Sequence, residues 1–372
     1  MSGIEPAASA RRPGARVALA AAHVVADPAA AHGPGLPARL DWDATLSFRH
    51  HLWALGLGVA DAMDTAQRGR GLDWPAASEL ITRSGREARS VGGLLACGAG
   101  TDQLAPSGRA AARGLAAVRA AYAEQAEVVE SAGAQVVVLA SRALAAIARG
   151  PDAYADVYGW LLGQVRGPVI LHWLGPAFDP ALRGYWGSAD LDQATSSLLS
   201  IVKEHAAKVA GIKLSLLDAR REIALRRALP SGVRLFTGDD YHYVRLIRGD
   251  RLGHSDAFLG VFDPIAVVAA AALRALEAGD TARYGQLLAP TVPLARVLFT
   301  APVPCYTTGV TFLAWLSGHQ QEFVMLGGQQ TARRVRHLKR LLALALAAGV
   351  LPDPDLAARR AATVADMAGM RS

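Results

Sequence analysis

The feature that most constrains the fold is a repeated alternation. Eight short apolar runs recur in the first 280 residues, and each precedes a segment with helical punctuation. The runs read as strands at 16–25, 59–63, 91–97, 135–140, 168–173, 209–215, 233–237 and 257–261. Between them, Asp43 reads as the N-cap of a helix to about Gly56, and Asp73 with Pro75 opens another to about Arg89. A long helix is expected over 107–132, with others at 143–147, 151–164, 190–208 and 217–227. Asp263-Pro264 reads as the cap and first residue of a helix to Ala278. Eight strand–helix units predict an α/β fold, a (β/α)8 TIM barrel over 16–279. From Asp280 the strand signal stops. Residues 280–372 read as a C-terminal helical domain with loops at 302–308 and 327–330. Residues 1–15 read as a loose N-terminal arm, since they lack the apolar stretch of a signal peptide.

Composition narrows the function classes. At 52% hydrophobic and 19% charged, the chain can bury a large core and does not read as disordered. The net charge of +7 permits an anionic ligand, but the arginines are scattered except around 333–340. Aromatics are only 6%, too few for a base-stacking platform, so no nucleic-acid partner is expected. The longest apolar stretches, near 265–276 and 341–351, are too short to span a bilayer, so no membrane partner is expected. Cys97 and Cys305 form neither a metal spacing nor a disulfide framework, which fits a cytoplasmic location.

One strand carries an unusual residue. The chain has four lysines (Lys203, Lys208, Lys213, Lys339) against 35 arginines. Lys213 lies inside the apolar run Val209-Ala210-Gly211-Ile212-Lys213-Leu214-Ser215. Burial lowers a lysine's pKa, whereas arginine keeps its proton. A neutral buried amine attacks carbonyls to form a Schiff base. Alternation puts Gly211, Lys213 and Ser215 on one face, towards the barrel axis. A strand-end lysine paired with a carboxylate is the structural alternative.

Barrel sites form at the C-terminal strand ends. Those ends carry His23, Asp64-Thr65, Cys97 with Thr101, Ser141-Arg142, His172, Lys213, Asp239, Asp240, His242 and Asp263. His172 precedes the lysine strand by one unit and suits proton transfer near neutral pH. Thr65 and Arg142 are expected to hold an anionic group. Gly238 lets backbone approach a ligand, and Asp64, Asp239, Asp240 and His242 offer partners for hydroxyls. Asp263 reads rather as a helix cap, Cys97 as a small buried hydrophobe, and His23 equally as a structural histidine.

Three segments, in order and spacing, carry a family resemblance: Pro-Val-Ile-Leu-His-Trp-Leu-Gly-Pro, Val-Ala-Gly-Ile-Lys-Leu-Ser and Leu-Phe-Thr-Gly-Asp-Asp. Over roughly 16–300 the chain resembles the dihydrodipicolinate synthase / N-acetylneuraminate lyase superfamily, and looks like a divergent, largely uncharacterised branch of it. The segment from Tyr306 to Gln321 is similar to that branch's C-terminal region. The resemblance implies a barrel with a C-terminal helical domain, an imine on Lys213, an oxo-acid substrate, no cofactor and a homo-oligomer, dimer or tetramer. Three positions depart from the pattern. His172 stands where the family has its proton-relay tyrosine. Asp64-Thr65-Ala66-Gln67-Arg68-Gly69 replaces the Gly-Thr-Thr-Gly-Glu carboxylate loop. Ser141-Arg142 replaces the tyrosine pair after the fourth strand.

The expectation is therefore a class I aldolase-like lyase acting on a sugar-derived oxo acid or related carbonyl compound. Lys213 forms the imine and His172 moves protons. Two rivals stand beside it. One is a metal-dependent barrel enzyme drawing on His23, Asp64, His172, Asp240 or His242. The other is a non-catalytic ligand sensor, since a fold does not fix function.

Overall fold

The structure, a computed structural model, describes residues 16–104 and 109–367. The expected arm at 1–15 and the first two residues of the expected 107–132 helix lie outside the described residues. Eight parallel strands close into a barrel in sequence order. They are β1 Ala18–Ala21, β2 Gly58–Asp61, β3 Leu95–Ala99, β4 Gln135–Val138, β5 Val169–Leu174, β6 Val209–Ser215, β7 Arg234–Thr237 and β8 Asp256–Leu259. β8 pairs with β1 and leaves no edge.

The strands are apolar on both faces because each meets two cores. Leu19, Ala60, Ala96, Val137, Ile170 and Phe258 fill the interior, while Ile212, Leu214 and Val169 pack under the helices. Gly211 makes room in the barrel. A Cβ there would lie 2.7 Å from the Phe236 ring, which occupies that space.

Several boundaries differ from the sequence expectation. Asp41, not Asp43, caps the first helix, Trp42–Ala54; its carboxylate accepts from the Ala44 amide at 3.0 Å. Asp43 sits in the first turn, where negative charge is also favoured. The run at 91–97 is divided. Val91 ends the helix Trp74–Val91, Gly92 caps it at φ 64°, and the strand starts at Leu95. Asp263 is no cap. The helix runs Ala266–Glu277 behind Ile265, and Asp263 instead accepts from the His23 amide at 2.7 Å and lies 2.8 Å from His23 Nδ1.

After the barrel come helices Thr281–Leu288, Thr291–Leu298, Tyr306–Leu316, Val335–Ala347 and Pro354–Met367. The expected loop at 302–308 is helical from Tyr306 on. Every residue of Tyr306–Leu316 is buried. This cluster sits against the loop after β2. Gln67 donates to the Leu326 carbonyl at 3.0 Å, and Gly71 packs on Leu326. Among the described residues no single helix is long and apolar enough to cross a membrane.

Two buried arginines brace the barrel mouth. Arg49 pairs with both oxygens of Asp61 at 3.0 and 2.8 Å and donates to the Thr45 carbonyl, and Ser84 adds a hydrogen bond to Asp61. Arg68 grips both oxygens of Asp102 at 2.7 Å and also bonds Gln125 and the carbonyls of Ala62 and Gly98.

Two predictions concern stability. Arg49→Met leaves Asp61 buried without its counter-charge, so unfolding free energy should fall by roughly 3–5 kcal/mol in chemical denaturation. Wild-type stability in that variant would show that the ion pair contributes nothing net. Glu222 is buried with Ser255 and Thr237 hydroxyls on its carboxylate. Burial raises its pKa from the ordinary 4.5 to about 8. Between those values the folded chain holds a proton that the unfolded chain has released. Stability from this group therefore falls as pH rises from about 4.5 to about 8, by up to roughly 1.4 kcal/mol per pH unit. Glu222→Gln should flatten that slope; an unchanged slope would assign it to other groups.

Candidate functional site

At the C-terminal barrel mouth lies one narrow cavity around Lys213. It encloses about 10 Å³, room for about one water molecule. Five strands and the C-terminal cluster contribute its walls. Asp64 and Thr65 follow β2, Leu174 ends β5, Lys213 and Ser215 come from β6, Gly238 and Asp240 follow β7, Phe258 comes from β8 and Gly260 follows it. Tyr306 opens the Tyr306–Leu316 helix and closes the cavity from above, with Phe178 beside it.

Lys213 is buried, as the alternation of β6 predicts. Its Nζ lies 4.1 Å from the centre of the Phe258 ring and forms no ion pair among the described residues. Desolvation dominates and lowers its pKa from the ordinary 10.5 to about 8; the Asp64 and Asp240 charges oppose this without reversing it. Asp240 is buried and accepts from the Val261 amide at 2.8 Å. Its burial raises its pKa to about 7, against the pull of that amide and of Lys213. Asp64, partly buried, is also raised by desolvation. An amine and a carboxyl thus titrate near neutrality in one small space, which is what proton transfer at neutral pH requires.

Gly238 is needed for close packing. A Cβ there would meet Ser215 Oγ at 2.2 Å and the Leu214 carbonyl at 2.9 Å. It leaves Ser215 free to face the cavity.

Of the residues singled out from sequence, Lys213, Asp64, Thr65, Gly238 and Asp240 share the cavity. His172 does not line it. It pairs with Lys213 across β5 and β6 and is likewise buried, with Nε2 3.1 Å from Ser215 Oγ and Nδ1 without a hydrogen-bond partner among the described residues. Burial, then the Lys213 charge, holds its pKa well below 6.5, so the ring is neutral. Asp239 shapes the turn, accepting from the Tyr241 and His242 amides. His242 bonds Asp239 at 2.7 Å, is 38% exposed and lies off the cavity. Arg142, expected at the anionic end, is 53% exposed, ion-paired with Asp179 and absent from the lining. Thr101 and Ser141 bond each other, and Cys97 packs in the helix-facing core. Of the side chains considered for a metal, Asp64 and Asp240 share the cavity, while His23, His172 and His242 are turned to Asp263, Ser215 and Asp239. Among the described residues no three His, Cys, Asp or Glu groups could hold a metal ion.

Tyr306 is the residue that sequence reading missed. Its hydroxyl lies 2.8 Å from Thr65 Oγ1, and its ring stacks on Phe299 at 4.4 Å. Burial, reinforced by Asp64, keeps the phenol protonated, well above 10. Arg333 fixes the start of its helix by donating to the carbonyls of Pro302 and Cys305. The available signal was a polar hydroxyl heading an eleven-residue run without charge.

The fold has known counterparts. The dihydrodipicolinate synthase of Aquifex aeolicus superposes with a TM-score of 0.69 at 13% identity, covering 90% of this chain and 99% of that one. A putative dihydrodipicolinate synthetase of Pseudomonas aeruginosa gives 0.67 at 17%, with coverage of 90% and 99%. The chloride-inhibited dihydrodipicolinate synthase of Acinetobacter baumannii, complexed with pyruvate, gives 0.64 at 18%, again covering 90% and 99%. No curated protein sequence matches this chain. A family model matches residues 2–370. On a (β/α)8 barrel of the dihydrodipicolinate synthase type, the chain belongs to the family described as Protein of unknown function (DUF993).

Proposed function

We propose that this protein is a class I, imine-forming lyase of the aldolase type, with Lys213 as the nucleophile. The observation that carries the reading is the desolvated Lys213 amine, unpaired among the described residues in a closed cavity at the barrel's catalytic end. The shared fold of the pyruvate-bound Acinetobacter enzyme supports it by analogy.

The chemistry follows from the groups present. The neutral amine adds to the substrate carbonyl and gives a carbinolamine. Asp240, protonated, donates to the departing hydroxyl, which leaves as water and produces the iminium. The iminium draws the electrons of the bond between its α- and β-carbons as that bond breaks, and the β-carbon carries the hydroxyl that becomes the product carbonyl. Asp240, now a carboxylate, takes the proton from the hydroxyl that becomes the product carbonyl. The enamine left on Lys213 is protonated at carbon, and water then hydrolyses the imine. Asp240 suits this exchange because its pKa lies near the working pH. Tyr306 and Thr65 form a hydroxyl pair able to bond the reacting oxygens. His172, assigned the proton shuttle from sequence, is better placed to hold Ser215 through its Nε2. The substrate is a small molecule, and the protein acts as a homo-oligomer.

Borohydride with the right carbonyl compound should trap an adduct on Lys213, and Lys213→Arg should abolish trapping and turnover while preserving the fold. The trapping rate should rise with pH through about 8, as the amine loses its proton. An active Lys213→Arg protein would end the imine mechanism. Tyr306→Phe and Asp240→Asn should each lower turnover, Asp240→Asn by roughly 10²–10⁴. Wild-type turnover in Asp240→Asn would move the proton transfer to another group.

A further inference from the structure

We propose that the site takes a carbonyl compound flanked by hydroxyl-bearing carbons and excludes one whose carbonyl adjoins a carboxylate. This rests on the imine reading and names the substrate class of the same site. Its basis is the charge and hydrogen-bonding character of the cavity wall. Among the described residues Lys213 is the one cation in the lining, and its nitrogen is bonded to the substrate carbon in the iminium rather than left as a separate partner for a carboxylate. Two carboxyl groups, Asp64 and Asp240, face the same space. The arginines nearest to Asp64 are committed elsewhere. Arg68 is held by Asp102 and Gln125, and Arg142 by Asp179.

An oxo acid needs a cationic or donor-only cradle for its carboxylate. Here a carboxylate placed at Thr65 would lie against the carboxyl group of Asp64, with like charges opposed. Hydroxyl groups meet the opposite situation. Asp64 and Asp240 accept hydrogen bonds from them, and the Ser215, Thr65 and Tyr306 hydroxyls both donate and accept. Five polar side chains thus converge on a small volume, and all five suit a polyol-like carbonyl compound. The cavity holds only about 10 Å³, so the ligand enters by displacing side chains. Phe178, on the loop after β5, is partly exposed in that lining, as are Asp64 and Leu174.

The test uses the full chain with cyanoborohydride, which reduces iminium ions. Dihydroxyacetone, hydroxyacetone and pyruvate are offered separately at equal concentration. Adducts on Lys213 are counted by peptide mass spectrometry, and rates are normalised to those of free N-acetyl-lysine. The two hydroxyketones should label Lys213 at least about tenfold faster than pyruvate. Asp64→Asn, which removes one opposing charge, should narrow that ratio by a similar factor. Pyruvate labelling as fast as the hydroxyketones would overturn the substrate class while leaving the imine mechanism standing. Absence of any Lys213 adduct with all three compounds would overturn the imine mechanism itself. The wild-type ratio decides the question even if the Asp64→Asn chain fails to fold.

Discussion

Everything at the barrel mouth depends on one unfavourable act, the removal of the Lys213 amine from water. Two carboxyl groups are near enough to stabilise its charge, yet desolvation outweighs them and the proton is loosened. That balance requires a stiff enclosure, because a mobile amine would find a carboxylate or solvent. The enclosure is built from below. Phe236 fills the space that Gly211 vacates, Phe258 crosses it at an edge-to-face angle, and the amine rests over the Phe258 ring. The apolar barrel interior therefore does more than stabilise the fold, since it sets the chemical potential of a proton.

Lysine and arginine divide the work in this chain. Arg49 and Arg68 are buried, and each is surrounded by carboxylate and carbonyl oxygens. They tie the loop after β2 to the neighbouring strands and helices. That loop carries Asp64 and Thr65 into the cavity. A guanidinium can serve as such a brace because it cannot be neutralised by burial, whereas an ammonium in the same place could be. The scarcity of lysine makes the exception at 213 informative.

The barrel was legible because its signals are local and repeated. Strand runs, caps and turn residues recur eight times, and an error at one boundary does not disturb the pattern. The errors that occurred have physical causes. Asp41 and Asp43 are both plausible first-turn acids, and only geometry selects which one bonds an amide. Asp263 before proline has the composition of a cap, but its carboxylate is taken by His23, 240 residues earlier. The cavity was legible where residues follow strands, as with Lys213, Asp64, Thr65, Gly238 and Asp240. His172 fell on the barrel side, level with Lys213 as alternation predicted, but which neighbour its ring meets is not written in alternation, and it turns to Ser215 rather than lining the cavity. Tyr306 was hidden because its contact with Thr65 spans 241 residues and its local sequence reads only as a buried helix.

That long-range contact has a consequence for the order in which the protein comes into being. Synthesis is vectorial, and all eight strands have been made by residue 259. The helix that covers Lys213 begins some 45 residues later, a few seconds away at roughly 5–20 residues per second. A barrel that closed in that interval would hold the Lys213 amine on its floor of aromatic rings without the Tyr306 cover. Small carbonyl compounds would reach such an amine more easily than in the covered cavity. Closure by Tyr306, with Phe178 beside it, would then also protect the amine, and a ribosome pausing within residues 260–305 would prolong the exposure.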